Sequence, residues 1–523
     1  MTNPHVAMRM LITYVICIPL AILLGYLLTN PLDYGTLGFL GLLLVILISP
    51  VFIKWHYPIM VFGLWAPVSC FFLIGRPPLW WVVVLMSLTI AILERIMNSD
   101  RRFLRVPVLT WPLLFIAAMA FLTAELTGGV GLHTLGGGLG GGRKYLTLFV
   151  GIACFFALVS HPIPPARRKF YVALFLLPGL LSLIGDLFPY LPAPLNYINL
   201  LIPPTGYNVG RAELGSTSVF IDRFSAVATG SSMLLSFMMA RWGMRGIFLG
   251  RSWWRPPVFV LAFLLIPMGG FRAFLVGMVI TIVLMMFLEG LRGPLLALLI
   301  SGLVAIALLV PFAGHLPLNY QRTLSFLPLN WNQDAVLNAE ASSEWRFNIW
   351  RQTWPKVPEY LLLGKCYGIS QGDYDLIANA RMINAAASFD ASEDALALSG
   401  DYHNGPLSTL MPFGIWGAIG IVWLMAACLW VHYRNFRYGP ADLKTVNAFL
   451  LAWCVYHSFA FFVIFGSFSD DIGYYAKYVG ICVALNGGVL GPKPKQKFNP
   501  LIKPARPLPA GVPMPLAGRQ IPI

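Results

Sequence analysis

Runs of roughly twenty apolar residues recur along almost the whole of this 523-residue chain, and no other feature restricts its fold as strongly. A helix needs about 20 residues to cross the hydrocarbon core of a bilayer. With no water there to bond the backbone, a helix satisfies its own amide groups and an open strand does not. Hydrophobic residues make up 58% of the chain and charged residues 11%, against about a quarter charged in soluble domains. The expectation is an all-α, polytopic integral membrane protein. Candidate spans fall at 8–28, 36–54, 57–75, 79–95, 107–125, 145–160, 169–187, 223–241, 256–270, 271–289, 293–313, 405–431, 445–466 and 471–490. That is about 14 transmembrane helices, within a range of roughly 12–14 by span length.

The net charge of +15 suggests nucleic acid until its distribution is examined. Basic residues gather in alternate loops: Arg95, Arg101, Arg102 and Arg105; Arg167, Arg168 and Lys169; Arg241, Arg245, Arg251 and Arg255; Arg434, Arg437 and Lys444. Loops of this kind face the cytoplasm by the positive-inside rule. The reading is therefore of a membrane protein with both termini cytoplasmic and no nucleic-acid partner. Five segments follow: N-terminal helices with a glycine-rich outer loop (1–222), core helices (223–313), a large outer loop (314–404), C-terminal helices (405–490) and a basic, proline-rich tail (491–523). The tail reads as a disordered cytoplasmic segment, simply solvated or resting on anionic headgroups. Six of the seven cysteines lie in apolar runs and only Cys366 in a loop, so neither a disulfide framework nor a cysteine metal site is expected.

On the outer face the polar residues are exceptions to the apolar pattern. A polar loop of about 90 residues is far longer than an ordinary connection and is expected to be functional and partly folded. Within it, Trp345, Ile349 and Trp350 interleaved with Arg346 and Arg351 suit a helix lying against the membrane. Arg223 opens one span and Arg272 another, where a charge snorkels, pairs or faces a cavity. Arg211, Arg346 and Lys365 lie in outer loops. Arginine suits a phosphate because its planar fork donates two parallel hydrogen bonds and keeps its charge.

The stretch "SGDYHNGPLSTL" sets His403 at the mouth of a span, between Asp401 and Asn404. Imidazole can accept a proton from a hydroxyl near neutral pH; equally, an interfacial histidine can simply bond a backbone carbonyl. Asp401 could orient the ring or pair elsewhere. The glycine-rich run 128–145 lacks the P-loop pattern and reads as an outer loop. His133 and His315 have no ordered context, and His457, mid-span, reads as a hydrogen-bonding packing residue.

Taken in order, "IDRFSAVATGSS", "GGFRAFLVGMVI", "EWRFNIWRQTWPKVPEYLLLGKCYGIS" and "DYHNGPLSTLMPFGIWGAIGIV" resemble the shared core of the bacterial O-antigen ligase and O-antigen polymerase superfamily. The matching positions are Arg223, Arg272, Arg346 with Trp350, Gly364 with Gly368, and His403 with Asn404. Phe271-Arg272-Ala273 stands where the family often has Ser-Arg-Gly, and about 14 spans exceed the family's usual dozen. The resemblance covers roughly 220–430. It implies an inner-membrane glycosyltransferase with its site facing the periplasm, metal-independent, without cofactor and inverting. The donor would be a glycan on undecaprenyl diphosphate, and the acceptor a hydroxyl of a lipid A core sugar, a growing polysaccharide or a protein. Arg223, Arg272 and Arg346 would hold the diphosphate and His403 would activate the acceptor, with Asp401, Asn404, Arg211 and Lys365 in support. The competing reading is a polysaccharide or lipid-linked sugar transporter (flippase) without chemistry. Such a protein places ionisable groups at the bilayer midplane in paired halves.

Overall fold

The computed structural model describes most of residues 34–203, 221–368 and 400–492, apart from 131–140 and scattered positions, together with a few residues between 14 and 25. Its elements are helical, and among the described residues the only β-type pairing is a single bridge between Ser69 and Pro78. The chain divides into a compact unit, Met1–Leu490, and a separate short unit, Gly491–Ile523. The expected 8–28 span is only partly described, and nearly all of the tail lies outside the described residues.

The helices of the large unit are α1 (Tyr34–Gly63), α2 (Leu79–Met97), α3 (Pro107–Leu126), α4 (Gly142–Val159), α5 (Pro165–Leu187, with 3-10 turns), α6 (Ser225–Phe248), α7 (Arg255–Gly269), α8 (Arg272–Leu288), α9 (Arg292–His315), α10 (Leu318–Leu324), α11 (Gln333–Thr353), α12 (Gly405–Tyr438), α13 (Ala441–Val463) and α14 (Phe468–Asn486). Seven of the described helices, α2, α3, α4, α5, α9, α12 and α13, are long and apolar enough to cross a membrane; α7 and α8 are shorter apolar helices. The expected spans at 36–54 and 57–75 do not stand as two helices. Residues 34–63 form one helix with Pro50 and Pro58 inside it, and the chain then turns through 64–78. Proline is tolerated inside a membrane helix where neighbours satisfy the freed backbone groups.

Two helices mark the extremes of environment. Over its apolar window α9 has a mean hydropathy of 2.7 and buries none of its residues against the rest of the protein. By contrast α14 buries nearly every residue, including Asp471, Lys477 and Asn486. It packs along α4, where Gly151 and Gly473 meet at backbone distance: a Cβ on Gly151 would lie 2.9 Å from Gly473 Cα. A buried ammonium is costly unless satisfied. Lys477 donates to Leu64 O at 3.1 Å, with its Nζ 4.2 Å from the Trp80 ring centre and 4.7 Å from that of Trp65. The polar content of α14 is thus an interior feature, held by hydrogen bonds and aromatic faces.

The outer loop expected at 314–404 is largely structured where it is described. It contains α10, α11 and a helical turn over 354–360, followed by an extended piece that docks on α12. There α12 breaks at Gly414, whose φ is 59° and ψ −151°. The released groups bond to the loop: Lys365 N to Met411 O at 2.8 Å, Cys366 N to Pro412 O at 3.0 Å and Ile415 N to Leu361 O at 2.7 Å. Gly364, with φ of 74°, must be glycine, since a Cβ there would run into the Pro412 carbonyl oxygen. Gly414 is buried, so protein encloses the break, the condition under which irregular backbone is tolerated beside a membrane span.

Candidate functional site

The turn joining α7 to α8 is the foundation of the site. Pro267, Met268, Gly269 and Gly270 present carbonyls and glycines to three neighbouring segments. Met268 O accepts from Phe224 N (3.1 Å) and from Asn319 Nδ2 (3.2 Å), and Pro267 O accepts from Thr323 Oγ1 (2.9 Å). Gly270 adopts φ of 69°, a left-handed value that favours glycine, and a Cβ there would press on both Arg223 and Arg322. The turn therefore brings Arg223, ahead of α6, and Arg322, on α10, into one buried pocket.

Both guanidiniums converge on one neutral oxygen. Arg223 Nη2 donates to Asn338 Oδ1 at 3.2 Å and Arg322 Nε donates to the same atom at 2.5 Å, while Arg322 Nη1 donates to Gly270 O. Arg223 is 6% exposed and Arg322 5%. Like charges buried this close raise the local positive potential, which favours a bound anion. Arg272, the first residue of α8, is half-buried, with the Glu340 carboxylate as its charged neighbour.

Helix α11 links this pocket to His403. Asn332 caps its N-terminus by accepting from Asp334 N at 2.8 Å. Asn338 and Trp345 are seven residues apart, so they share a face and are separated by about 10 Å along the axis. Trp345 packs edge-on to the His403 ring at 4.9 Å between centres, and Phe465 lies at 5.0 Å on another side. Five residues beyond Trp345, Trp350 Nε1 donates to Tyr402 O at 2.7 Å, tying the helix to the residue before the histidine. The helix expected to lie against the membrane is therefore real, but its apolar edge is covered by protein. Ile349, Trp345 and Trp350 pack with Tyr402, Leu407 and Met411.

His403 itself has φ of 49°. A non-glycine residue in the left-handed region costs about 1–2 kcal/mol, and such outliers cluster at functional sites. The next residue, Asn404, caps α12: its Oδ1 accepts from Leu407 N at 2.9 Å. Lys365 Nζ lies 5.6 Å from the centre of the Tyr402 ring. A groove of about 730 Å³ runs beside the histidine, lined by Glu340, Glu344, Asn348, Trp354 and Asn404 among others. Its aromatic rings, amides and carboxylates are the surface on which a sugar can stack and hydrogen-bond.

Of the residues expected from sequence, Arg223, Arg272, Arg346, Lys365, His403 and Asn404 are described. Asp401 and Arg211 lie outside the described residues, as does most of the glycine-rich loop. Arg346 sits on α11 next to Trp345, half-buried. The sequence reading missed Arg322. It is the first Lys or Arg after the long apolar run of α9, and that position was the signal that could have found it. His457, read as a packing residue, has a carboxylate partner: its Nε2 lies 2.7 Å from Asp471 Oδ1, and its ring stacks on Trp453 at 4.5 Å.

Residues 257–422 match the family model described as O-Antigen ligase. No curated protein and no solved structure gave a match. The matched stretch contains α8, Arg322, α11, His403 and the broken start of α12.

Proposed function

We propose, from the match of residues 257–422 to the family model described as O-Antigen ligase, that the chain is a glycosyltransferase of the O-antigen ligase/polymerase superfamily that uses a glycan on undecaprenyl diphosphate as donor. The acceptor is a hydroxyl group, on a lipid A core sugar, a growing polysaccharide or a protein. The site faces the periplasm from the inner membrane. The observation that carries this reading is the convergence of Arg223 and Arg322 on Asn338, on the same helix that packs Trp345 against His403.

In the proposed step His403 accepts the proton of the acceptor hydroxyl. The oxygen forms a bond to the anomeric carbon of the donor sugar from the face opposite the diphosphate. The carbon–oxygen bond to the diphosphate breaks, and undecaprenyl diphosphate leaves with the bonding electrons. Arg223, Arg322, Arg272 and Arg346 stabilise the negative charge that develops on the leaving group, the kind of electrostatic stabilisation that is usually the largest catalytic contribution. Inversion at carbon follows from single displacement. The acceptor glycan occupies the groove beside Asn404, where Trp354 and Phe347 supply faces for sugar rings and Glu344 and Asn348 supply polar partners. Lys365 and Asn404 hold the loop and the helix start that carry His403.

The transporter alternative fits this arrangement less well. Its ionisable groups would line a midplane cavity in two related halves, whereas the arginines and His403 gather at helix starts and in one asymmetric loop. The test is surface-glycan analysis in a strain lacking the gene and complemented with wild type or His403→Ala. Full-length lipid-linked glycan without attachment identifies a ligase, and loss of chain length identifies a polymerase. Normal surface glycan with the variant present at wild-type level removes His403 from the chemistry.

A further inference from the structure

About 27 Å from the start of α4, at its other end, three side chains from three separate segments converge. His56 is on α1, Glu94 on α2, and His161 follows α4. Their ligand atoms all lie within 4.8 Å of one another. His161 Nε2 is 3.1 Å from Glu94 Oε2, and His56 Nε2 is 3.7 Å from Glu94 Oε1, one imidazole to each carboxylate oxygen. The opposite ring nitrogens are held by hydroxyls: His56 Nδ1 with Ser87 Oγ at 2.9 Å and His161 Nδ1 with Ser160 Oγ at 2.8 Å. The His56 side chain is 5% exposed, His161 21% and Glu94 32%.

Proton accounting narrows what this cluster can do. Ser160 has one hydroxyl proton and donates it to Ala157 O at 2.7 Å. Its oxygen must therefore accept from His161, which puts a proton on Nδ1. His161 Nε2 then meets the carboxyl group as a second N–H, as the acceptor of a carboxylic acid proton, or as a lone pair with a metal cation between them. The His56–Glu94 separation of 3.7 Å exceeds hydrogen-bond reach. It is close to the edge of a coordination tetrahedron, about 3.3–3.5 Å for metal–ligand bonds near 2.0–2.1 Å. Imidazoles whose remote nitrogens are fixed by hydrogen bonds, with Nε2 directed inward, are the arrangement by which proteins orient metal-bound histidines.

We propose that His56, Glu94 and His161 bind one divalent transition-metal ion of the zinc(II) class, clipping α1, α2 and the end of α4 together. Two imidazoles and a carboxylate form a ligand set that zinc(II) accepts, with a fourth position left to water. The ion is remote from His403 and has no part in glycan transfer. Sequence inspection looked for cysteine spacing; this triad has no local spacing because its members lie on separate segments.

The test uses full-length protein, free of any affinity tag, stripped with a chelator and dialysed against Zn²⁺. The expected result is one zinc per chain, a rise of a few degrees in unfolding temperature on adding Zn²⁺, and at least a tenfold weaker affinity in both His161→Gln and Glu94→Gln. Because a variant could lose its fold, Co²⁺ is also titrated into the wild-type protein, where ligand-field absorption bands of nitrogen and oxygen coordination are expected. Wild-type protein that takes up no stoichiometric metal holds the triad together with protons only, and the proposal falls. Folded His161→Gln that binds zinc as tightly as wild type overturns it as well.

Discussion

Histidines near the two ends of α4 keep different chemical company. At its start Tyr145 packs on Tyr367 and Phe413 and Lys144 lies against Gly400, three residues before His403, whose ring is held between Trp345 and Phe465. At its finish His161 and His56 share the Glu94 carboxylate. One imidazole is thus held between aromatic rings, and the other two are held against a carboxylate. The lesson is that histidine on its own specifies little. Its role is set by which charges its neighbours hold fixed, and by how many kcal/mol of packing hold them there.

That contrast can be broken from either end. The largest effect short of removing His403 is expected in the arginine pocket. Arg322→Lys keeps the positive charge but cannot reach Asn338 and Gly270 together, so transfer should fall about 10- to 100-fold, the worth of a lost charge-assisted hydrogen bond. Arg272→Lys should fall in the same direction. Steady-state transfer rates with lipid-linked donor read this directly, and unchanged rates would assign these arginines to snorkelling. A smaller loss, about fivefold, is expected for Trp350→Phe, which keeps the ring but removes the bond to Tyr402 O and loosens His403; about 1 kcal/mol is the usual net value of such a bond. Acceptor affinity and rate, measured together, separate this positioning effect from general instability. The smallest effect belongs to the far end: His161→Gln should leave transfer within about twofold, because distant sites that share no partners act independently. A large loss of transfer would couple the two ends and sink the division between them.

How much of this was legible in sequence depended on the range of the cause. Apolar run length located most helices, since a span is a local property, and the division between 36–54 and 57–75 failed because one helix, Tyr34–Gly63, runs through it. His403 and Arg272 stood out because they interrupt apolar runs at helix mouths. Arg322 did not, because its significance lies in sharing Asn338 with Arg223, 115 residues away from Asn338 in sequence. The interior polarity of α14 hid in plain view: a helix with Asp471 and Lys477 reads as a poor span until its burial is known. The zinc-type triad was invisible for the same reason as Arg322, being assembled entirely by tertiary contact.

The account turns on His403 as the base, and a split between binding and turnover tests it most directly. Purified wild-type and His403→Ala proteins in lipid are given a lipid diphosphate-linked oligosaccharide and a hydroxyl acceptor, and donor affinity and single-turnover transfer are measured on the same preparations. The account predicts donor affinity close to wild type, since the arginine pocket is intact, with transfer reduced by about 10²–10⁴-fold, the range for loss of a general base. Wild-type transfer by the folded variant would contradict it.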